Sequence, residues 1–527
     1  MHKRALVFSG QGAHRKGMCM NLINTRRMSL LWEDMKDCMM QNYGISLQSV
    51  IHENPTKLFL RKDALDIDKV LSYSCKTVQN VSESEPKSFL IENPNGVMLL
   101  TYLTQPCVLA AQMLILEKLR ETSNFDMSTY SMIAGHSLGE ITALCALGVF
   151  TTQTALNLVF KRGLLMEKVF ENYDRSRHLM YACNPIRAKL HEDPETADDT
   201  FFAMVELIST ALSTTTSFVE VVNYNILRQQ YVVAGDTVAL AVLGKCLDPQ
   251  FRANCPHNTT IDGIVRDALR SARLDARDGI NYNPHTEKPS VDFATSARRK
   301  YGNRSIFRRF LEGPDDGYTP PLEKLTSLTL EEEGRSGLKK KSWFIPLSVE
   351  IPFHTSKLRQ CADRFFEVVR EALPEEDELR KLLSVSPSEK ALARPLWVTN
   401  LTGSAFKPFD EKFREEVRDA IQSLNIGEKQ HKGRYTSSLL LDAFEEGANT
   451  NSTVTMCAAI LASQIPHSVM WTDTMEEMIL RGDCRSIDEI APVRCIVDLF
   501  KRSTFKDDAG NLIELETRSF NTDTTHA

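Results

Sequence analysis

Ile133-Ala134-Gly135-His136-Ser137-Leu138-Gly139-Glu140 is the stretch on which the reading of this chain turns. It holds a G-x-S-x-G motif. Before it, Tyr130 to Ala134 is short and mostly apolar and reads as a buried strand; after it, Leu138 to Leu147 is helix-compatible. A strand that turns sharply into a helix at a serine is a nucleophile elbow. Gly135 and Gly139 remove side chains where strand and helix must approach closely, and Ser137 is expected to sit in a strained conformation at the helix N-terminus. The first-turn N–H groups then point at any oxygen that carries charge beside the hydroxyl. The plainer alternative is a strand–helix turn with a capping serine.

Working outward, Arg4-Ala5-Leu6-Val7-Phe8-Ser9 is a strand candidate that runs into the tight turn Gly10-Gln11-Gly12. A dinucleotide loop would need a third glycine where Arg15 stands, so the pattern G-x-G-x-x-G is not completed. Two readings stay open for the turn: a backbone donor close to the nucleophile, or a simple strand-to-helix connection. Asn21 to Tyr43 and the amphipathic segment from Leu99 to Arg120, with Pro106 inside it, are helix-compatible, as are Thr151 to Phe170 and Phe201 to Leu212. Val219 to Asn225 and Tyr231 to Ala234 read as short strands of a small α+β subdomain. Cys246 to Lys341 has few periodic apolar residues and reads as a polar, solvent-facing insertion. Order returns at Trp343 to Leu347, at Ile351-Pro352-Phe353-His354-Thr355, in a helix from Ser356 to Ala372, and in a strand over Pro395 to Asn400. His191 to Asp199 and Glu445 to Thr453 read as loops. Met456 to Gln464 reads as a helix, Ile487 to Ile490 as a strand, Arg494 to Phe500 as a helix and Asp507 to Ala527 as a ragged tail. Strands separated by helices, with a serine at a strand C-terminus, indicate an α/β fold with a mostly parallel sheet.

Composition bounds the function. The chain has 527 residues, 42% hydrophobic and 25% charged, which is globular and large enough for more than one domain. A net charge of -6 gives no basic footprint for nucleic acid. No apolar run approaches membrane-spanning length, and a strand-like segment at Arg4 leaves no room for a signal peptide. The 12 cysteines lack CxxC pairs, which argues for reduced thiols rather than disulfides or a zinc site; Cys19, Cys107 and Cys145 sit in apolar company. A serine hydroxyl is a poor nucleophile without a base. Of the 12 histidines, His136 is badly placed beside Ser137, whereas His354 follows a strand-like segment and opens a helix. Arg162, taken alone, reads as an ordinary solvated arginine.

A series of motifs changes that reading. Gly10-Gln11-Gly12, Thr101 to Pro106, the unaltered G-H-S-L-G-E of Gly135 to Glu140, Arg162-Gly163-Leu164-Leu165-Met166, Asn223-Tyr224-Asn225 with Val232 to Gly235, Pro352-Phe353-His354, Asn400-Leu401-Thr402-Gly403 and Gln464 ahead of Val469-Met470-Trp471 arrive in one order. In that order the chain resembles the malonyl-CoA:acyl-carrier-protein transacylase family, the acyltransferases of fatty-acid and polyketide synthesis. The resemblance implies a hydrolase-like large α/β subdomain at 1–170 plus 342–503. It also implies a small ferredoxin-like subdomain at 177–245, a polar insertion at 246–341 and a tail at 504–527. It implies that Ser137 attacks a malonyl thioester and that His354 acts as base, its ring oriented by the main-chain carbonyl of Gln464. Gln11 and Leu138 would supply the oxyanion N–H groups, and Arg162 would clamp the malonyl carboxylate. Phe353 would crowd the α-carbon and disfavour methylmalonyl.

The implied substrates are malonyl-CoA and the phosphopantetheine thiol of a holo acyl carrier protein, with no metal, nucleotide or bound organic cofactor, no membrane or nucleic-acid partner, and a monomeric state. A stand-alone chain of this kind would belong in the mitochondrial matrix of a eukaryote and otherwise in the cytoplasm. Two departures from the family stand out. Ala491 replaces the glycine of a late E-x-G-P segment, and the stretch between Arg162 and His354 is far longer than typical members need. The competing readings are a serine hydrolase on the same kind of sheet, which needs an acid and a histidine in order after the serine, and a non-catalytic scaffold built around the long insertion.

Overall fold

A computed structural model describes residues 2–77, 88–123, 125–170, 178–213, 217–274, 343–347, 349, 351–385, 394–423 and 438–521. The strands among them, in chain order, are β1 (Lys3–Phe8), β2 (Lys57–Arg61), β3 (Ser88–Glu92), β4 (Met132–Gly135), β5 (His178–Cys183), β6 (Val219–Ile226), β7 (Gln230–Asp236), β8 (Phe344–Pro346), β9 (Leu396–Val398), β10 (Cys484–Ile490) and β11 (Glu516–Phe520). The chain divides into two units. One comprises 1–172, 356–421 and 436–527; the other comprises 173–355 and 422–435.

The first unit is built on a five-stranded sheet of order β11-β10-β1-β4-β9, in which every pairing is parallel. Parallel strands covered on both faces are continuous apolar runs, and Ala5 to Phe8 and Ile133 to Ala134 are fully buried accordingly. One face packs Ala5, Val7, Ala134 and Val398 against Val469, Trp471, Met478 and Phe500. The helix Thr101–Thr122 was expected to be amphipathic; it is instead buried from Thr101 through nearly every position to Leu119. It has no side-chain cap of its own. Glu167, on the helix Thr152–Val169, accepts the Thr101 N–H at 2.6 Å in place of one. Gly163 lets these two helices meet, since a Cβ there would lie 2.6 Å from Tyr102 Cα.

The second unit holds the four-stranded antiparallel sheet β6-β7-β5-β8. Its chain order runs β5, the helix Pro194–Ala211, β6, β7, the helix Thr237–Leu247 and later β8, which is the split β-α-β of a ferredoxin-like subdomain. Phe201, Met204 and Ile208 pack with Val233, Leu240 and Leu243 in its core.

Several expectations need correction. The polar insertion does not begin at 246. Cys246 and Leu247 close a buried helix, and Ile261–Leu274 is a helix whose Ile264, Val265, Ala268 and Ala272 join the core of the second unit. The apolar residues Ile261, Ile264, Val265, Ala268, Leu269 and Ala272 carry the helical spacing, so this segment is legible in the sequence, and the polar stretch after it draws it into the insertion. The remainder of the insertion, including Arg298-Arg299-Lys300, Gly313 to Pro321 and Glu331 to Lys341, lies outside the described residues. The loop expected at Glu445 to Thr453 falls mostly in the helix Ser438–Thr450, and the acidic loop at His191 to Asp199 gives way at Pro194 to a helix capped by Asp193. The C-terminal tail is not ragged through 507–521: β11 pairs in register with β10, and Arg518 reaches Asp488 through Nε and Nη2 at 2.8 and 2.9 Å. A lone edge strand of alternating polar residues carries no apolar run by which sequence could reveal it.

Candidate active site

The C-terminal ends of β1, β4 and β9 lie side by side, with Phe8 opposite Gly135 and Ala134 opposite Val398. Gln11, Ser137 and Asn400 follow those strands, so the site sits where an open parallel sheet presents its loops. Ser137 has φ 53°, left-handed for a residue with a side chain, a strain of about 1–3 kcal/mol that surrounding contacts must hold. Gly135 and Gly139 are obligatory there. A Cβ on Gly135 would sit 1.8 Å from the Gly139 carbonyl carbon, and one on Gly139 would sit 2.4 Å from the Phe8 oxygen. Leu138 is the buried N-cap of the helix Gly139–Ala146. Gln11 opens the short turn Gln11–Ala13, and its side-chain oxygen accepts from Gln105 Nε2 at 3.4 Å.

Asn400 ties the elbow at two points. Its Oδ1 accepts the Ser137 N–H at 2.6 Å, and its Nδ2 donates to the Gly135 carbonyl at 2.8 Å. Its own backbone N–H donates to Glu140 Oε1 at 2.9 Å. The other Glu140 oxygen accepts Gln464 Nε2 at 2.7 Å. Gln464, at the C-cap of the helix Thr453–Ser463, also donates through Nε2 to the Ser137 carbonyl at 2.8 Å. Its Oε1 accepts Arg162 Nη2 at 2.7 Å, and the same Nη2 donates to Ser137 Oγ at 3.1 Å.

The site is dry on this side. Glu140 is fully buried and Arg162 is 2% exposed. Burial raises the Glu140 carboxyl from 4.5 to about 7, against the opposing pull of hydrogen bonds from Asn400 and Gln464 and the charge of Arg162. Burial also lowers Arg162 to about 10, with Glu140 opposing it, so the guanidinium stays cationic at neutral pH. Both hydrogen bonds that Arg162 makes among the described residues leave from Nη2. Nε and Nη1 are therefore available to a bidentate anion.

The structure thus brings Ser137, Arg162 and Gln464 together and places Gln11 and Leu138 on the neighbouring turns. His354 and Phe353 belong to the second unit, where both are buried and His354 has φ 61°; Thr355 Oγ1 donates to the Pro352 carbonyl at 2.9 Å and fixes that turn. Sequence reading quoted Glu140 and Asn400 only as motif letters and gave neither a role. A carboxylate inside an apolar helix start, Leu138 to Leu147, was the available signal, since such a group must find partners. Among the described residues no group of three or more His, Cys, Asp or Glu could hold a metal ion, and no helix is long and apolar enough to cross a membrane. No disulfide joins cysteines among the described residues, and Cys19, Cys107 and Cys145 are buried.

Known proteins resemble this chain in sequence and in fold. Residues 5–263 match the family model of the acyl transferase domain. The chain is 26% identical over 445 residues to the fatty acid synthase subunit beta of Schizosaccharomyces pombe, an alignment that takes in 80% of this chain and 18% of that subunit. In fold it is similar to FabD from Acinetobacter baumannii, at TM-score 0.51 and 16% identity, in an alignment that covers 99% of this chain and 96% of that one. The acyl-carrier-protein-S-malonyltransferase from Bartonella henselae gives TM-score 0.51 and 14% identity, covering 99% of this chain and 96% of that one.

Proposed function

We propose that this protein moves a malonyl group from malonyl-CoA to the phosphopantetheine thiol of an acyl carrier protein, by way of a malonyl-serine on Ser137, as a step that feeds fatty-acid synthesis; the match of residues 5–263 to the acyl transferase domain and the fold shared with the malonyltransferases support this reading. In this reading His354 removes the Ser137 proton as Oγ attacks the thioester carbonyl. The N–H groups of Gln11 and Leu138 hold the oxyanion, a donor each worth about 3 kcal/mol in such sites. Collapse expels CoA, which takes the proton from His354. The carrier thiol then attacks the ester, gives its proton to His354, and Ser137 recovers that proton as the acyl group leaves. His354 is oriented in this scheme by the Gln464 main-chain carbonyl, which makes a third acidic residue unnecessary.

The observation that carries the reading is the buried Arg162 guanidinium 3.1 Å from Ser137 Oγ. A cation held dry beside a nucleophile is costly unless an anion completes it, and the acyl group that brings one is a short dicarboxylic half-thioester. Because Arg162 donates to Oγ, the hydroxyl's own proton is directed away from it, toward a base. In the same reading Phe353 would disfavour a branched homologue by its bulk. The test is intact mass after brief mixing with malonyl-CoA. An adduct of malonyl size is expected on the parent chain, absent from Ser137→Ala, and discharged by holo acyl carrier protein. An adduct from acetyl-CoA but none from malonyl-CoA would overturn the role given to Arg162. Rapid release of free malonate without transfer would instead identify a hydrolase.

A further inference from the structure

Gln464 enters the proposed mechanism through its main chain, but its side chain does separate work. An amide has one accepting and one donating end. The donating end of Gln464 faces two acceptors, the Ser137 carbonyl and Glu140 Oε2, at 2.8 and 2.7 Å. The accepting end is thereby turned to Arg162 Nη2. Reversing the amide would set oxygen against both acceptors and N–H against a guanidinium, so all three contacts would fail together. Glu140 is free to impose this choice because its other oxygen is held by the Asn400 N–H, and Asn400 in turn spans the elbow. The result is a closed ring of hydrogen bonds that starts and ends on Ser137.

We propose that Glu140 is a positioning residue for acyl selectivity: its carboxylate orients the Gln464 side-chain amide, which anchors one edge of the Arg162 guanidinium and leaves Nε and Nη1 for the carboxylate of the incoming acyl group. The proposal rests on Arg162 as the acyl clamp. A glutamine at 140 supplies only one accepting oxygen. The Asn400 N–H takes it, and the new amide N–H₂ then faces Gln464 Nε2 donor to donor. Gln464 must give up its contact or turn over, and either way Arg162 loses its anchor.

The experiment compares the full chain with Glu140→Gln, Gln464→Leu and Arg162→Ala, measuring the second-order rate of acyl-serine formation from malonyl-CoA and from acetyl-CoA by quenched intact mass. Thermal melts verify folding. The expected result is a malonyl-to-acetyl ratio reduced about tenfold or more in Glu140→Gln and in Gln464→Leu, the factor that follows from a charge-assisted hydrogen bond lost at a buried arginine. A general loosening of the elbow would slow both substrates and leave the ratio in place. If Arg162→Ala abolishes the preference while a folded Glu140→Gln retains it within about threefold, the relay is wrong and the clamp stands. If Arg162→Ala keeps the preference, both readings fall. Should Glu140→Gln fail to fold, Gln464→Leu breaks the same relay from its other side, and an unchanged ratio there overturns the proposal.

Discussion

A single carboxyl group couples stability to selectivity at this site. Glu140 faces the N–H of Asn400, the amide of Gln464, the Arg162 guanidinium and, across the helix Thr453–Ser463, the Cys457 thiol. Its folded-state pKa is about 7 against an ordinary 4.5, chiefly because burial penalises the charge. The folded state therefore holds a proton between these values that the unfolded state releases. Stability from this group is whole below about pH 4.5 and is lost as pH rises through about 7, a change of about 3 kcal/mol. Denaturant titrations of the parent between pH 5 and 8 should show that decline, and Glu140→Gln should lack it. Selectivity should run the other way. Only the ionised carboxylate accepts from both Asn400 and Gln464, so the malonyl-to-acetyl ratio of acylation should rise through about pH 7. A ratio flat across that range would separate Glu140 from the clamp. The molecule is then least stable where the relay is best ordered, as expected when a charge is kept dry for function.

At the scale of elements, the site depends on how closely two helices approach. Arg162 reaches Ser137 because the helix Thr152–Val169 lies on Thr101–Thr122, and Gly163 is the point of contact. Two effects of Gly163→Ala oppose each other. Alanine favours an exposed helix over glycine by about 0.5–1 kcal/mol. Here its Cβ would meet Tyr102 backbone at 2.6 Å, and overpacking of this kind costs about 1–3 kcal/mol. The steric effect wins, so Gly163→Ala should lower the unfolding free energy and slow malonyl acylation; a more stable variant would show that the helices yield. The sequence made part of this legible. The elbow is local, so strand, turn and glycines could be read from consecutive residues, and the motif series pointed to Arg162 and Gln464. It could not disclose why Gly163 follows Arg162, nor that Glu167 caps a helix 66 residues earlier. The partners of Glu140 lie 260 and 324 residues away, and no local pattern encodes them. The helix Ile261–Leu274 is a different case: Ile261, Ile264, Val265, Ala268, Leu269 and Ala272 do recur at helical spacing, and the polar sequence that follows draws the whole stretch into the insertion.

Across the whole molecule, one buried aspartate joins strands from the two ends of the sequence. Asp488 on β10 is fully buried. It accepts Arg4 Nη2 from β1 at 2.5 Å, the Tyr130 hydroxyl ahead of β4 at 2.7 Å, and Nε and Nη2 of Arg518 on β11. The cationic partners are not equivalent to it. The Arg518 side chain is 53% exposed and Arg4 is 30% exposed, whereas Asp488 has no access to water. Removing Arg518 leaves Asp488 with Arg4 and Tyr130, and an exposed arginine contributes about 0–1 kcal/mol. Removing Asp488 leaves the Tyr130 hydroxyl facing a buried gap and deletes the charge-assisted hydrogen bonds that tie β1 and β11 to β10, a loss of about 2–5 kcal/mol. Urea unfolding should therefore find Asp488→Ala several times more destabilising than Arg518→Ala, although each deletes one end of the same ion pair. Equal losses would mean that Arg518 itself carries the junction, and that β11 is a structural member of the sheet rather than a strand added at its edge.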